Sequence, residues 1–181
     1  MKIVSIIIPH FNGKKLLENC ISSIYKNIRI DNFEIIIVDN GSTDDSVKNI
    51  EKLFSGIKII RNKNNAGYSG GCNIGAKHAN SKYLLFLNND TEHSKHWIET
   101  LINFMDSNPK IFAAQPKILN FKNKKQFDYA GGSGGFIDKF CFPFVKGRIF
   151  NTLEKDVGQY NQPSKIFWSS GAAMIVRSDI F

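Results

Sequence analysis

The stretch FEIIIVDNGSTDDS, Phe33–Ser46, changes character halfway along. Phe33 to Val38 is a β-branched and aromatic run that reads as a strand. It stops at Asp39-Asn40-Gly41-Ser42, residue types that suit a turn because they tolerate its geometry and bond their own backbone. Ser42 with Asp45 three residues later resembles a capping box. Val47, Ile50, Leu53 and Phe54 then recur at helical spacing, the buried stripe of a helix. A strand, a polar junction and a helix follow one another within about 20 residues.

The same unit recurs on both sides. Upstream, Val4 to Pro9 (VSIIIP) is a strand, and Leu16, Leu17, Cys20, Ile21 and Ile24 form the apolar face of a helix. Downstream, Ile57 to Ile60 is a third strand. A glycine-rich loop from Asn62 to Gly71 leads into a short helix from Cys72 to about Ala79. Tyr83 to Leu87 is a fourth strand, and Trp97, Leu101, Ile102 and Met105 mark a helix that stops before Pro109. Strands alternating with helices imply right-handed βαβ units and a mostly parallel sheet flanked by helices, an α/β fold. Beyond Pro109 the period is lost. Phe112 to Leu119 reads as a strand interrupted at Pro116, residues 122–164 as irregular hairpins or a flap, and Ser170 to Val176 as a strand. Ile180 and Phe181 read like the start of another element.

Composition narrows the classes. With 181 residues, 42% hydrophobic and 22% charged, the chain is expected to be one globular domain. No apolar run reaches the length of a membrane span, and Met1 to Ser5 does not read as a signal peptide. Cys20, Cys72 and Cys141 are odd in number and form no CxxC pair, which speaks for a reducing compartment, the cytoplasm by default. A net charge of +8 and a pI of about 9.4 favour anionic partners. The densest basic cluster, Lys122, Lys124 and Lys125, is short and accompanies no nucleic-acid-binding pattern, so no nucleic-acid partner is expected.

In an open parallel sheet, ligands bind beyond the carboxyl ends of the strands. There the first strand delivers Pro9-His10-Phe11-Asn12, the second Asp39-Asn40-Gly41 and the fourth Asn88-Asn89-Asp90. The Gly67-Tyr68-Ser69-Gly70-Gly71 loop opens a helix, where backbone amides can approach an anion. Neither standard nucleotide motif fits. The first junction reads PHFNG instead of GxGxxG, and Gly70 to Lys77 (GGCNIGAK) misses the P-loop spacing. A nucleotide diphosphate held differently remains: Asp39 can accept the N3–H of uracil or thymine, and Asp90 can hold Mg²⁺ or Mn²⁺ beside phosphate oxygens.

Five segments, VSIIIPHFNG, IIIVDNGSTDDS, NNAGYSGGCNIG, LFLNNDT and SSGAAMIVR, in this order resemble family 2 glycosyltransferases of the GT-A fold. The stretches DYAGGSGGFID and GRIFNTLEKDVGQYN are similar to its rhamnosyltransferase-type branch. The resemblance implies inverting transfer of a sugar from a nucleotide diphosphate donor, dTDP-rhamnose or a UDP-sugar, to a cell-surface glycan. It implies that Pro9 and Phe11 line the base pocket, that Asp39 binds the pyrimidine, that Gly70, Gly71 and Asn73 lie along the ribose and diphosphate, and that Asn12, Asn40 and Gly67 also belong to the donor site. Asn88-Asn89-Asp90 stands at the family's DXD-type motif, with Asn88 in place of the first acid, so Asp90 would be the metal ligand. Trp168, Gly171 and Ala172 would border the acceptor.

Residues 1–110 would then form the nucleotide-binding half and 111–181 the start of the acceptor-side half. The resemblance implies that the general base belongs to an acidic segment expected beyond Phe181, so no catalytic residue is expected within this chain. A lipid-linked glycan acceptor would place it at the inner face of the membrane. The rival reading is a non-catalytic nucleotide-sugar-binding module, separated from the enzyme by whether an acidic Glu-Asp segment follows in the gene.

Other residues are weighed against plainer roles. His10 is placed for a donor contact or for solvent exposure, and His93 and His96 are expected on the surface. Trp168, Phe140, Phe142 and Phe144 could line an acceptor groove, with core packing expected for most of them; Cys72 is expected to be a small buried residue, and Gly131 to Gly135 to form a turn.

Overall fold

The computed structural model describes residues 1–181. In chain order the elements are β1 (Lys2–His10), α1 (Lys14–Asn27), β2 (Phe33–Asp39), α2 (Ser46–Leu53), β3 (Lys58–Arg61), α3 (Gly67–Lys77) and β4 (Ser81–Leu87). Then come α4 (Trp97–Ser107), β5 (Ala113–Ala114), β6 (Gly135–Ile137), β7 (Pro143–Val145), β8 (Arg148–Ile149), β9 (Thr152–Leu153) and β10 (Ala173–Arg177).

The central sheet has six strands in the order β3-β2-β1-β4-β10-β5. The first four are parallel, and β10 and β5 join antiparallel at the far edge. Both faces are covered, and strand alternation assigns the side chains. Val4, Ile6 and Ile8 of β1 join Ile35, Ile37, Leu85 and Leu87 under α1, α2 and α4. Ile7, Ile36, Val38, Leu84 and Phe86 face the other way, where α3 contributes Cys72. Leu16 and Leu53, read as buried stripe residues, are 51% and 54% exposed; each lies near a helix end, beside the packed face.

Three expected boundaries move. α3 begins at Gly67, so the glycine-rich segment is mostly helix. Several helical glycines cost close to 1 kcal/mol each, but close packing offsets this. A Cβ on Gly75 would come within 2.3 Å of Ile7 Cγ2, and one on Gly71 within 2.8 Å of Pro9 Cβ. The glycines let α3 approach the sheet. The strand expected over Phe112–Leu119 shrinks to β5 at the sheet edge, where Pro116 lacks a ladder donor. The last strand starts at Ala173 instead of Ser170.

Residues 115–168 form short hairpins and turns, β6 with β7 and β8 with β9. Ion pairs tie this region internally and to the α4 approach: Lys117 to Asp156 at 2.6 Å, and Lys124 to Glu92 at 3.1 Å.

Candidate functional site

The strand order β2-β1-β4 brings three polar junctions side by side at one rim of the sheet. Asp39 closes β2 opposite His10 of β1. It is 8% exposed, and its Oδ1 accepts the Ser42 amide at 2.8 Å while Oδ2 has no partner in the chain. Pro9 is buried and Phe11 is half exposed at the same rim. Asn40 is a structural link: its Nδ2 donates to the Gly67 carbonyl at 3.1 Å, and its Oδ1 accepts Asn62 Nδ2 at 2.9 Å. It thereby seats the start of α3 against the end of β2.

The expected capping box is not formed. α2 starts at Ser46, and Ser42 is four residues before it, its hydroxyl accepting the Asn12 amide at 3.0 Å. Asp44 does the capping. Its carboxylate accepts Gly13 N at 2.8 Å and Lys14 N at 3.3 Å at the start of α1, and Ser46 N at 3.1 Å at the start of α2. Asn12 Oδ1 accepts Thr43 N at 2.8 Å and fastens the same loop. One acid thus serves two helix N-termini, where orphan amides and the helix dipole favour a negative group. Desolvation acts to raise the Asp44 pKa, but hydrogen bonds from Ser46, Gly13 and Lys14 outweigh it and hold the carboxyl below its ordinary value.

His10 is neither exposed nor open to a ligand: it is 1% exposed. Asn89 Nδ2 lies 2.7 Å from its Nδ1, and Ser46 Oγ lies 2.8 Å from its Nε2. An amide nitrogen only donates, so Nδ1 accepts and the ring proton sits on Nε2, directed at Ser46. The Ser46 hydroxyl passes its own proton toward Asp44. Burial depresses the imidazole pKa against the pull of Asp44 and Asp39, so the neutral ring is the resting form. An unbroken chain therefore runs from Asn89 through His10 and Ser46 to the helix caps.

Asn88 and Asp90 occupy the end of β4. Asn88 N donates to Ala172 O at 3.0 Å, which sets the approach to β10 beside this motif. Gly171 touches α3, with its carbonyl accepting the Tyr68 hydroxyl. Asp90 is exposed and enters none of the six ion pairs. Behind it the chain is anchored to α1. His93 Nδ1 lies 2.7 Å from Ser23 Oγ, and Asn27 Nδ2 donates to His93 O at 2.9 Å. His93 also stacks on Trp97 at 4.7 Å, so it is a half-buried strut between α1 and α4 and not the expected surface residue; His96 is exposed.

A cavity of ≈ 550 Å³ opens beside Asp90 on the side away from Asp39, between Asn88, His93 and Trp97 on one wall and Lys117, Phe121 and Asp128 on the other. No three His, Cys, Asp or Glu side chains gather into a cage for a metal ion. The donor set fits a hard divalent cation in one way only: the free Asp90 carboxylate together with oxygens from a bound diphosphate, an arrangement Mg²⁺ and Mn²⁺ accept.

Of the residues expected at the site, Pro9, Asn12, Asp39, Asn40, Gly67 and Gly71 come together around the ends of β1 and β2. Asn88, Asn89, Asp90, Gly171 and Ala172 gather around the end of β4. Gly70 lies within α3, where an added Cβ would come within 2.9 Å of Ala66 Cβ; Asn73 is exposed on that helix. Trp168 sits apart, packed over Gly135 with its Nε1 donating to Phe136 O at 3.1 Å. The sequence reading gives Asp44, Ser46 and Tyr68 no role, and it places His10 at a donor contact or in solvent where the structure buries it. A second acid in STDDS was the available signal for Asp44; nothing in the sequence marked Ser46, Tyr68 or the burial of His10.

Comparison with known proteins accords with this geometry. Residues 5–180 match the glycosyl transferase family 2 profile. WfaP of Escherichia coli, a UDP-Glc:alpha-D-GlcNAc-diphosphoundecaprenol beta-1,3-glucosyltransferase, is 35% identical over 136 residues, covering 72% of this chain and 51% of that protein. An uncharacterized glycosyltransferase of Haemophilus influenzae is 35% identical over 114 residues, 61% of this chain and 35% of its own. Among solved structures, S. aureus TarS 1-349 superposes with a TM-score of 0.69 at 20% identity, over 99% of this chain and 48% of that one. The mannosyltransferase PcManGT from Pyrobaculum calidifontis, in complex with GDP-Man and Mn2+, gives 0.57 at 20% identity, over 63% and 35%. This chain spans about half or less of the length of each. The match over nearly every residue shows that the chain belongs to glycosyl transferase family 2, with the GT-A fold.

Proposed function

We propose that this chain is the donor-binding part of an inverting glycosyltransferase that takes its sugar from a pyrimidine nucleotide diphosphate, a UDP-sugar or dTDP-rhamnose. One observation carries the reading: Asp39 and Asp90 flank β1 at one rim, each with carboxylate oxygen left over after the fold's own needs. The Asp39 Oδ2 suits the N3–H of uracil or thymine, and the half-exposed Phe11 ring offers a face for the base. Asp90 would hold Mg²⁺ or Mn²⁺ jointly with the diphosphate. A cation bound there supplies neutralisation of the leaving diphosphate. The chain's own part is to fix both acids: Ser42 orients Asp39, and the Asn89–His10–Ser46 chain holds the loop that carries Asp90.

The names of the relatives support this reading. TarS has been crystallised with UDP and with UDP-GlcNAc, and PcManGT with Mn2+. WfaP acts, by name, on a diphosphoundecaprenol-linked sugar, which supports a lipid-linked glycan as acceptor. The cavity between Asn88–Trp97 and Lys117–Asp128 opens beside Asp90 and has room for a sugar residue, which supports placing the acceptor there.

Calorimetric titration with UDP, dTDP and GDP, each with and without Mn²⁺, tests the proposal. UDP and dTDP are expected to bind, and GDP at least about tenfold more weakly; Asp39→Ala should weaken UDP by about tenfold or more through the lost hydrogen bond to a charged group, and Asp90→Ala by about tenfold or more in the presence of Mn²⁺ through the lost carboxylate ligand to the cation. Equal affinity for GDP, or wild-type affinity in both variants, overturns it.

A further inference from the structure

We infer that the β6–β7 hairpin is a docking finger for an anionic lipid surface. From sequence, Phe140, Phe142 and Phe144 are expected mostly in the core or along an acceptor groove; the structure puts them in water. Phe140 and Phe142 are each 69% exposed, Phe144 46% and Ile137 37%, all within ten consecutive residues.

The exposure is built in. Asp138 Oδ1 accepts the amides of Phe140 at 2.8 Å and Phe142 at 2.9 Å, Cys141 N donates to Asp138 O at 3.1 Å, and Cys141 takes the left-handed backbone that closes the turn. Below the tip, Phe136 and Phe144 stack across the strands at 5.5 Å, with the Lys146 ammonium 4.8 Å from the Phe136 ring. The two tip phenylalanines are thus presented on a fixed turn.

The chemistry around the tip selects the partner. Lys139 lies 4.9 Å from the Phe140 ring and forms no ion pair. The one carboxylate of the turn, Asp138, is engaged by backbone amides. Aromatic rings projecting beside lysines, on a chain of net charge +8, match the boundary between anionic headgroups and acyl chains, where rings insert and ammonium groups stay wet. No helix of the chain is long and apolar enough to cross a membrane.

The root of the finger leads to the site. Gly135 N donates to Trp168 O at 3.1 Å, and four residues later Ala172 O accepts Asn88 N at 3.0 Å. A seated finger would hold the end of β4 close to a lipid-linked acceptor. That purpose rests on the acceptor reading above; the lipid contact itself does not.

Cys141 allows a direct test, since Cys20 and Cys72 are buried and only the tip cysteine takes a thiol-reactive environment-sensitive fluorophore. Unlabelled and labelled chains are mixed with vesicles of phosphatidylglycerol and phosphatidylethanolamine, and separately of phosphatidylcholine, followed by sedimentation and emission. Expected are co-sedimentation with the anionic vesicles, a blue shift of the probe, and binding several-fold weaker on phosphatidylcholine and at high salt. Phe140→Ser/Phe142→Ser should reduce partitioning at least about tenfold. Phe112→Ser, at a comparably exposed residue outside the hairpin, should leave it unchanged, and UDP affinity should be equal in all three. The inference is overturned by absence of sedimentation, by an unshifted probe, by equal losses in Phe112→Ser, or by light scattering that shows the double variant merely abolishing self-association. Loss of UDP binding with lipid binding intact would count against the donor reading alone.

Discussion

Asp39 spends one carboxylate oxygen on the Ser42 amide and leaves the other free. Asp39→Asn keeps an acceptor for Ser42 but points an amide donor at the pyrimidine N3–H. We expect it to lose UDP affinity by about tenfold or more with little change in Tm, whereas Asp39→Ala loses both; titration and thermal melting separate the two. His10 admits a similar dissection. Asn at position 10 places an acceptor near the Nδ1 position and can keep the Asn89 bond; Gln places its polar end near Nε2 and keeps Ser46 instead. His10→Asn should therefore retain Mn²⁺-dependent UDP affinity within about threefold, and His10→Gln should lose about tenfold, although each forfeits one hydrogen bond of stability. His93 governs a pH response. Burial pushes its imidazole from 6.5 down to about 4, against a smaller opposing pull from Glu92. The unfolded chain takes up this proton near the ordinary value and the folded one does not. Stability is thus full above the unfolded pKa of 6.5 and falls as pH drops toward 4. From about pH 7 to about pH 5 the loss is on the order of 2 kcal/mol. Urea denaturation should show this slope flattened in His93→Asn.

At the scale of elements, α3 shows close packing overruling propensity. Gly75→Ala gains roughly 0.5–1 kcal/mol of intrinsic helix preference. It also drives a methyl to within 2.3 Å of Ile7 on a buried strand, and overpacking of that kind costs about 1–3 kcal/mol. The clash wins, so chemical denaturation of Gly75→Ala should show net destabilisation of about 1–2 kcal/mol. The loop between β2 and α2 works differently, through one acid. Asp44→Ala removes acceptors from two helix starts at once and should cost about 1–3 kcal/mol, more than a single cap is worth. Asp45→Ala, at an exposed residue with only a surface ion pair to Lys48 at 3.2 Å, should be close to neutral in the same assay.

For the whole molecule, stability is uneven. β1 and β4 are central, buried on both faces and paired on both sides, while residues 115–168 rely on two-stranded hairpins and a few surface-accessible ion pairs. Native-state hydrogen exchange should accordingly be slowest in β1 and β4 and fastest across residues 115–168. Donor binding is expected to act on the protected side of this gradient. UDP with Mn²⁺ should slow exchange at the ends of β2 and β4, and EDTA should reverse the effect at β4.

The parallel sheet and the placing of polar residues at strand ends were legible in the sequence because strand alternation, helical stripes and turn chemistry are local patterns. Asp39 and Asp90 could be named for the same reason, each standing where an apolar run breaks. The roles of His10 and Asp44 were not legible, because a buried hydrogen-bond chain joins residues up to 79 positions apart and leaves no periodic trace. The α3 glycines misled as a loop, since only the sheet beneath shows why a Cβ cannot fit. The exposed aromatics of the β6–β7 hairpin misled as core, because hydrophobicity records a cost in water and not which surface relieves it.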